Sequence, residues 1–268
     1  MTSSPRRNIL LPVLLLGCLF AGTAAAQGFS ALVSPPRFEG SAAPGSTWRN
    51  VIEISNVSAS PAHFSVHTAD WTFKPDAAIE FSDALAPDSC RPWVGIEAAD
   101  INLSANGKRR YRFEVRVPAD APSRECRFAV MIEGDPEAIE GSNTPPISGR
   151  IGVIVYLAIG DAAARLEVVG HGVRTIDGNV VPVLSVRNAG NAHGRLQGFL
   201  NGTDASGKTY AFAPATLPIL PGETRDIALV PQADRDDLPV PTLTWPLQLK
   251  GRLDWGSQRL DIAETFNR

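Results

Sequence analysis

Apolar and polar residues alternate with a period of two through most of this chain. From Arg110 to Val117 the apolar Tyr111, Phe113, Val115 and Val117 interleave with Arg110, Arg112, Glu114 and Arg116. That pattern marks a strand with one buried face and one wet face. Asn106-Gly107, a dipeptide favoured in tight turns, precedes the strand, and Pro118 closes it where no backbone donor is needed. The same grammar predicts strands near 30–34, 48–56, 62–72, 91–97, 109–117, 126–133 and 149–159. A second series is predicted near 165–170, 180–188, 194–202, 208–213, 223–230, 245–254 and 258–266. No amphipathic helix of three turns stands out.

The two series echo each other. Val51-Ile-Glu-Ile-Ser-Asn56 is matched by Val183-Leu-Ser-Val-Arg-Asn188, each an alternating strand that ends in Asn before a small-residue turn. Leu103 to Pro118 is matched by Leu220 to Pro231, a glycine turn feeding a strand that stops at Val-Pro. Two like-ordered repeats imply two like folds. About seven short strands per unit, punctuated by Gly, Pro, Asn and Asp, suit an all-β chain with two immunoglobulin-like β-sandwich domains in tandem. The boundary is expected close to Gly160-Asp161, giving units at 27–160 and 161–268. The polar, Pro-rich stretch Asp135 to Ser148 is expected to be an exposed connection.

The N-terminus changes the picture of compartment. Arg6 and Arg7, the apolar run Ile9 to Phe20, and Ala24-Ala25-Ala26 before Gln27 have the layout of a secretory signal, with residues 1–26 removed. The run is short of the roughly 20 residues a spanning helix needs. Leu15-Leu16-Gly17-Cys18 loosely resembles a lipoprotein processing box, and Arg6-Arg7 lacks the rest of a twin-arginine pattern. The remaining chain carries 23 basic and 28 acidic residues. This mildly acidic balance argues against nucleic acid as a partner. No transmembrane segment is expected after cleavage, and the product should be soluble unless Cys18 carries lipid.

Cys90 and Cys126 are the cysteines left after cleavage. An exported protein reaches an oxidising compartment, so a bond between them is expected, two buried thiols being the alternative. It would close a loop of about 35 residues and contribute on the order of 3 to 4 kcal/mol.

Catalytic signatures are missing: there is no Gly-x-Ser-x-Gly elbow, His-Glu-x-x-His helix, phosphate-cradling loop or dinucleotide fingerprint. A non-enzymatic protein without a cofactor or metal is expected. His63 and His67 would share a helix face but lie about 13 Å apart on a strand. Asp234, Asp236 and Asp237 lack the spacing of a calcium loop and read as a solvated turn. Lys108, Arg110, Arg112 and Arg116 read as the wet, edge-protecting face of their strand. Trp71 and Trp93 are expected in the first core, Trp245 and Trp255 in the second.

Val33-Ser-Pro-Pro-Arg37-Phe-Glu-Gly40, the strand ending at Asn56, the block from Trp93 to Pro118 and the strand Gly149 to Gly160 carry a resemblance. Over residues 29–160 the chain resembles the first domain of periplasmic pilus-assembly chaperones of the PapD-like type. The resemblance implies a periplasmic protein that holds a pilin or surface-fibre subunit by lending it a strand, with an outer-membrane usher as a further partner. It also implies two cations in the cleft between domains that receive the subunit's terminal carboxylate. The family's first cation position falls on Pro35; Arg37, two residues on, keeps the same facing. The second falls on Val153, and Arg150 faces the other way. On this reading Arg37 receives the carboxylate and Ile151, Val153, Val155 and Leu157 of the strand 149–159 contact the subunit. The alternative is a structural or adhesion immunoglobulin-like module of the bacterial envelope without chaperone activity.

Overall fold

A computed structural model describes residues 29–74, 77–136, 146, 148–176, 178–233 and 241–268. In chain order the first ten strands are β1 (Ala31–Ser34), β2 (Arg37–Ala42), β3 (Thr47–Asn56), β4 (Ala62–Phe73), β5 (Ile79–Ser82), β6 (Val94–Ile96), β7 (Asp100–Leu103), β8 (Lys108–Arg116), β9 (Glu125–Gly134) and β10 (Arg150–Ile159). They form two sheets, one ordered β1-β3-β8-β6 and the other β2-β10-β9-β4-β5, with β7 paired to β4. Seven more follow: β11 (Leu166–Ile176), β12 (Asn179–Asn188), β13 (Gln197–Thr203), β14 (Thr209–Pro214), β15 (Thr224–Pro231), β16 (Leu247–Trp255) and β17 (Gln258–Phe266). These make a single sheet ordered β11-β12-β15-β14-β13-β16-β17. It curls until its edges approach, His171 of β11 lying 3.5 Å from Glu264 of β17. The architecture is all-β, two immunoglobulin-like sandwiches in tandem.

The alternation read from the sequence decides what each strand buries. Ile52, Ile54, Tyr111, Phe113, Val115, Phe128, Val130 and Val155 face one another between the first two sheets. The row Lys108, Arg110, Arg112 and Arg116 is exposed on the outer face of β8, as its period requires. A second core centred on Leu184, Leu200, Phe212, Ile227 and Leu249 fills the curled sheet. Cys90 and Cys126 are joined, the first just before the single turn of 3-10 helix at Arg91–Trp93 and the second in β9. The bond therefore staples the entry to the four-stranded sheet onto the six-stranded one.

Three short strands escape the sequence reading: β2, β5 and β7. Arg37–Ala42 contains Glu39, Gly40 and Ser41, a weak β composition that pairing with β10 overrides. The consequence is topological. The chain leaves the four-stranded sheet after β1, passes Pro35 and Pro36, and enters the six-stranded sheet as β2, parallel to β10. Strand β11 also runs past its expected end at 170 to Ile176, through a bulge between Val168 and Gly170.

Trp71 corrects an expectation. Its position on β4 has the opposite parity to Phe64 and Val66, so it lies on the outer face of the six-stranded sheet, beside Ala129, Met131, Ile154 and Tyr156. Trp93 borders the first core, and Trp245 and Trp255 border the second. His63 and His67 stand apart, the first bonded to Asp135 and Asp100, the second 3.3 Å from Asp83. Asp135 holds the His63 imidazole above its ordinary value, Asp100 adding to the effect. No cluster of metal-ligating side chains occurs among the described residues. Residues 1–26, expected to be a secretory signal, the acidic triplet Asp234, Asp236 and Asp237, and most of the Pro-rich connection lie outside those residues.

The sequence echo has a structural basis in two buried asparagines. Asn56 donates from Nδ2 to the carbonyls of Ser60 and Ser104, and its Oδ1 accepts from the Ser58 N–H. Asn188 does the same: Nδ2 donates to the carbonyls of Ala192 and Ile219, while Oδ1 accepts from the Gly190 N–H. Each amide thus satisfies main-chain groups of its own turn and of a distant loop, which a buried polar group must do to be tolerated.

Replacing Asn188 by Ala takes the side-chain partner from the Ala192 carbonyl and the Gly190 N–H, the Ile219 carbonyl keeping its bond from the Gly194 N–H, and urea unfolding is expected to show a loss of about 3 kcal/mol. Replacing Cys90 and Cys126 together by Ser should lower the unfolding free energy by about 2 to 5 kcal/mol. An unchanged urea midpoint would show the bond to be energetically idle.

Candidate functional site

A cleft of about 520 Å3 lies where the two sandwiches meet, and its walls include Arg37, Glu39, Tyr156, His193, Arg195 and Trp255. Its floor follows from the register of β2 on β10. Arg37 pairs with Ile154 and Glu39 with Tyr156, so these residues share the outer face of the six-stranded sheet. Phe38 and Val155, on the opposite parity, point into the first core.

The far wall is the loop from Ala189 to Leu196 between β12 and β13. Its shape depends on Gly190, where a Cβ would lie 2.3 Å from the Ala163 carbonyl oxygen. The main chain approaches that closely only without a side chain. Asn191 then ties three segments together. Its Oδ1 accepts from the Ala163 N–H, its Nδ2 donates to the Ser123 carbonyl, and its own carbonyl accepts from the Glu125 N–H at 2.9 Å. Two residues on, the His193 N–H donates to Glu125 Oε2 at 3.0 Å, and its Nδ1 bonds the same oxygen.

A guanidinium can only donate. Arg195 Nη1 lies 2.8 Å from His193 Nε2, so that nitrogen accepts and the ring carries its hydrogen on Nδ1, facing Glu125. The same Nη1 donates to Glu39 Oε1 at 2.5 Å, and Arg37 Nε reaches that oxygen at 2.7 Å. A relay of hydrogen bonds and ion pairs therefore runs Glu125, His193, Arg195, Glu39, Arg37 from the buried joint to the open cleft. The Glu125 side chain is 2% exposed and Arg195 11%, whereas Glu39 is 40% and Arg37 52% exposed.

Tyr156 forms the floor beneath this relay. The His193 ring stacks on it at 3.9 Å between centroids, and the Arg195 guanidinium lies 5.3 Å above it. Burial pushes the Tyr156 hydroxyl up to about 12, against a smaller opposing pull from Arg195. The apolar patch continues through Trp71 and Phe73, where Leu220 and Arg225 of the second sandwich cover it, Arg225 standing 5.0 Å over the Phe73 ring.

The residues singled out in the sequence divide between the two faces of one sheet. Arg37 stands in the cleft, whereas Val153, Val155 and Leu157 are fully buried in the first core, with Ile151 at its rim. What the strand offers beyond its folded neighbours is main chain. β2 pairs with β10 only from Ile154 onward, the Ile154 N–H reaching the Pro36 carbonyl at 3.2 Å. Among the described residues no strand pairs with the corresponding edge of Arg150–Val153. Glu39, Glu125, His193 and Arg195 were not singled out in the sequence: Glu39 lies in the stretch Val33 to Gly40 but received no role there, and the other three belong to no motif. The one hint was the small-residue turn after Asn188, and it said nothing of charge.

Neither a family model nor a curated protein matches the chain. Among solved structures it is similar to the class 5 fimbriae chaperone CfaA, at 12% identity over 88% of this chain and 99% of that one, TM-score 0.47. It is similar to the CupB2 chaperone of Pseudomonas aeruginosa, at 12% identity over 88% and 100%, TM-score 0.44. A third is the E. coli chaperone DraB, at 16% identity over 88% and 97%, TM-score 0.46.

The folded state holds the Tyr156 proton more tightly than the unfolded chain does. That contribution is complete below pH 10 and lost as pH rises toward about 12. Unfolding free energy measured in urea across this window should fall more steeply for the wild type than for Tyr156→Phe. Parallel curves would mean that Tyr156 ionises freely in the folded protein.

Proposed function

We propose that this protein is a non-enzymatic, chaperone-like protein of the periplasm that binds secreted pilus or surface-fibre subunits by edge-strand pairing. Residues 1–26 would be its export signal, and 27–160 and 161–268 its two units. The observation that carries the reading is the lane beside Arg150–Val153, in line with β2 and ending at Arg37, which no strand among the described residues fills. Successive N–H and C=O groups on a strand point to alternate sides. The Ile154 N–H points to β2, so those of Gly152 and Arg150 point into the lane.

A partner strand laid there would extend the six-stranded sheet, the main chain supplying affinity. If it ran parallel to β10, as β2 does, its C-terminus would arrive at Arg37. A terminal carboxylate is what an arginine at that point would receive. The buried row Val153, Val155 and Leu157 would then act through the rigidity of β10, with Ile151 alone near the partner. The usher expected with such a client would have to engage another surface.

The test is recovery of the tagged protein from its native periplasm after mild crosslinking, with its partners identified by mass spectrometry. A stoichiometric fibre subunit is expected. Arg150→Pro should weaken the complex by about tenfold or more without lowering the melting temperature, because proline removes an edge N–H that no described strand uses. A partner retained at full strength by that variant would exclude the lane as its binding edge. Recovery of envelope scaffold proteins alone would favour a structural module.

A further inference from the structure

The reading of Arg37 as a carboxylate receptor leaves open why two guanidiniums at the cleft already share one carboxylate. Glu39 Oε1 accepts from Arg195 Nη1 and is ion-paired with Arg37 Nε at 2.7 Å, while Glu39 Oε2 lies 3.6 Å from His193 Nε2. Glu39 thus occupies the centre of a cradle built from β2 and from the loop of the second sandwich. Arg195 is held there by its own burial and by the Tyr156 ring below it, and its Nε is buried without a hydrogen-bond partner. An arginine fixed in that way is a prepared carboxylate receptor, since a planar fork can take both oxygens of a carboxylate. Glu39 satisfies each fork with the same single oxygen.

We propose that Glu39 is an internal carboxylate that keeps Arg37 and Arg195 occupied until a carboxylate delivered by the strand lane displaces it. The inference rests on the functional reading above and concerns the control of that same site. Glu39 is tethered on β2, so it competes at a high effective concentration, on the order of millimolar or above. A free carboxylate in solution loses that competition. One tethered to a strand paired beside Arg150–Val153 meets Glu39 on equal terms and can offer both oxygens. Glu39 is partly exposed and can withdraw into water, whereas Arg195, 11% exposed, stays fixed. The exchange is then nearly neutral in charge, and the cleft distinguishes a docked subunit from dissolved acids.

Acetate serves as the probe, titrated into the full mature protein and followed through the arginine Nε–H resonances by NMR. The wild type should show no saturable shift of the Arg37 and Arg195 signals. Glu39→Gln should bind acetate about tenfold tighter or better, and adding Arg195→Gln should abolish the gain. A folded Glu39→Gln protein with no gain overturns the proposal, as does a gain that survives the loss of Arg195. If Glu39→Gln fails to fold, Glu39→Ser takes its place. Should both unfold, Glu39 is a structural bridge and the proposal fails. Acetate binding needs no client, so absence of a fibre subunit in the periplasm would sink the functional reading while leaving this result to stand by itself.

Discussion

Two adjacent strands, β9 and β10, are buried on both faces, and the rest of the molecule is arranged around covering them. Phe128, Val130, Ile132, Val153, Val155 and Leu157 face the four-stranded sheet, while Ala129, Met131, Ile154 and Tyr156 face outward. Strands with two apolar faces need a layer on each side. The four-stranded sheet supplies one. The second sandwich supplies part of the other through Leu220, Arg225 and the loop carrying His193 and Arg195. The cleft exists because that second layer covers the outer face incompletely, leaving Arg37 and Glu39 at its rim.

The joint itself is polar where it is most enclosed. Glu125 receives both the main chain and the ring of His193, and Asn191 binds Ala163, Ser123 and Glu125 together. Buried charge is tolerated when it is paired and hydrogen-bonded, and such pairs are more plausible as fixers of geometry than as sources of net stability. The chemistry at the rim inherits that geometry. Arg195 can be aimed at Glu39 because His193 and Tyr156 hold it, and His193 is held in turn by Glu125.

Much of this architecture was legible in the chain. The strand containing Arg110 to Arg116, the turn at Asn106-Gly107 and the exposed basic row follow from local alternation, as does the core facing of Tyr111, Phe113 and Val115. The repeated Asn56 and Asn188 patterns were legible as well, and their cause proved to be the same side-chain plug made twice. Cys90 and Cys126 could be paired because, with residues 1–26 set aside as an expected export signal, no other cysteine is left. β2, β5 and β7 were not legible. Such short segments have too few residues for a period to show, and their pairing partners decide their conformation.

A period of two states which side chains on a strand point together, and the sequence therefore determined the fold class, the rows of core residues and the staple between sheets. It does not state which of two sheets a strand joins or what stands opposite its outer face. Trp71 belongs to the outer patch, β2 leaves the sheet of β1 for that of β10, and the row Val153 to Leu157 is enclosed. Only the tertiary structure decided these, and it alone assembled the cleft. Arg195 and Glu39 are 156 residues apart, and His193 and Glu125 are 68 apart, so no spacing in the chain encodes their meeting. They meet because the outer face of β9 and β10 must be covered, and the loop that covers it carries their partners.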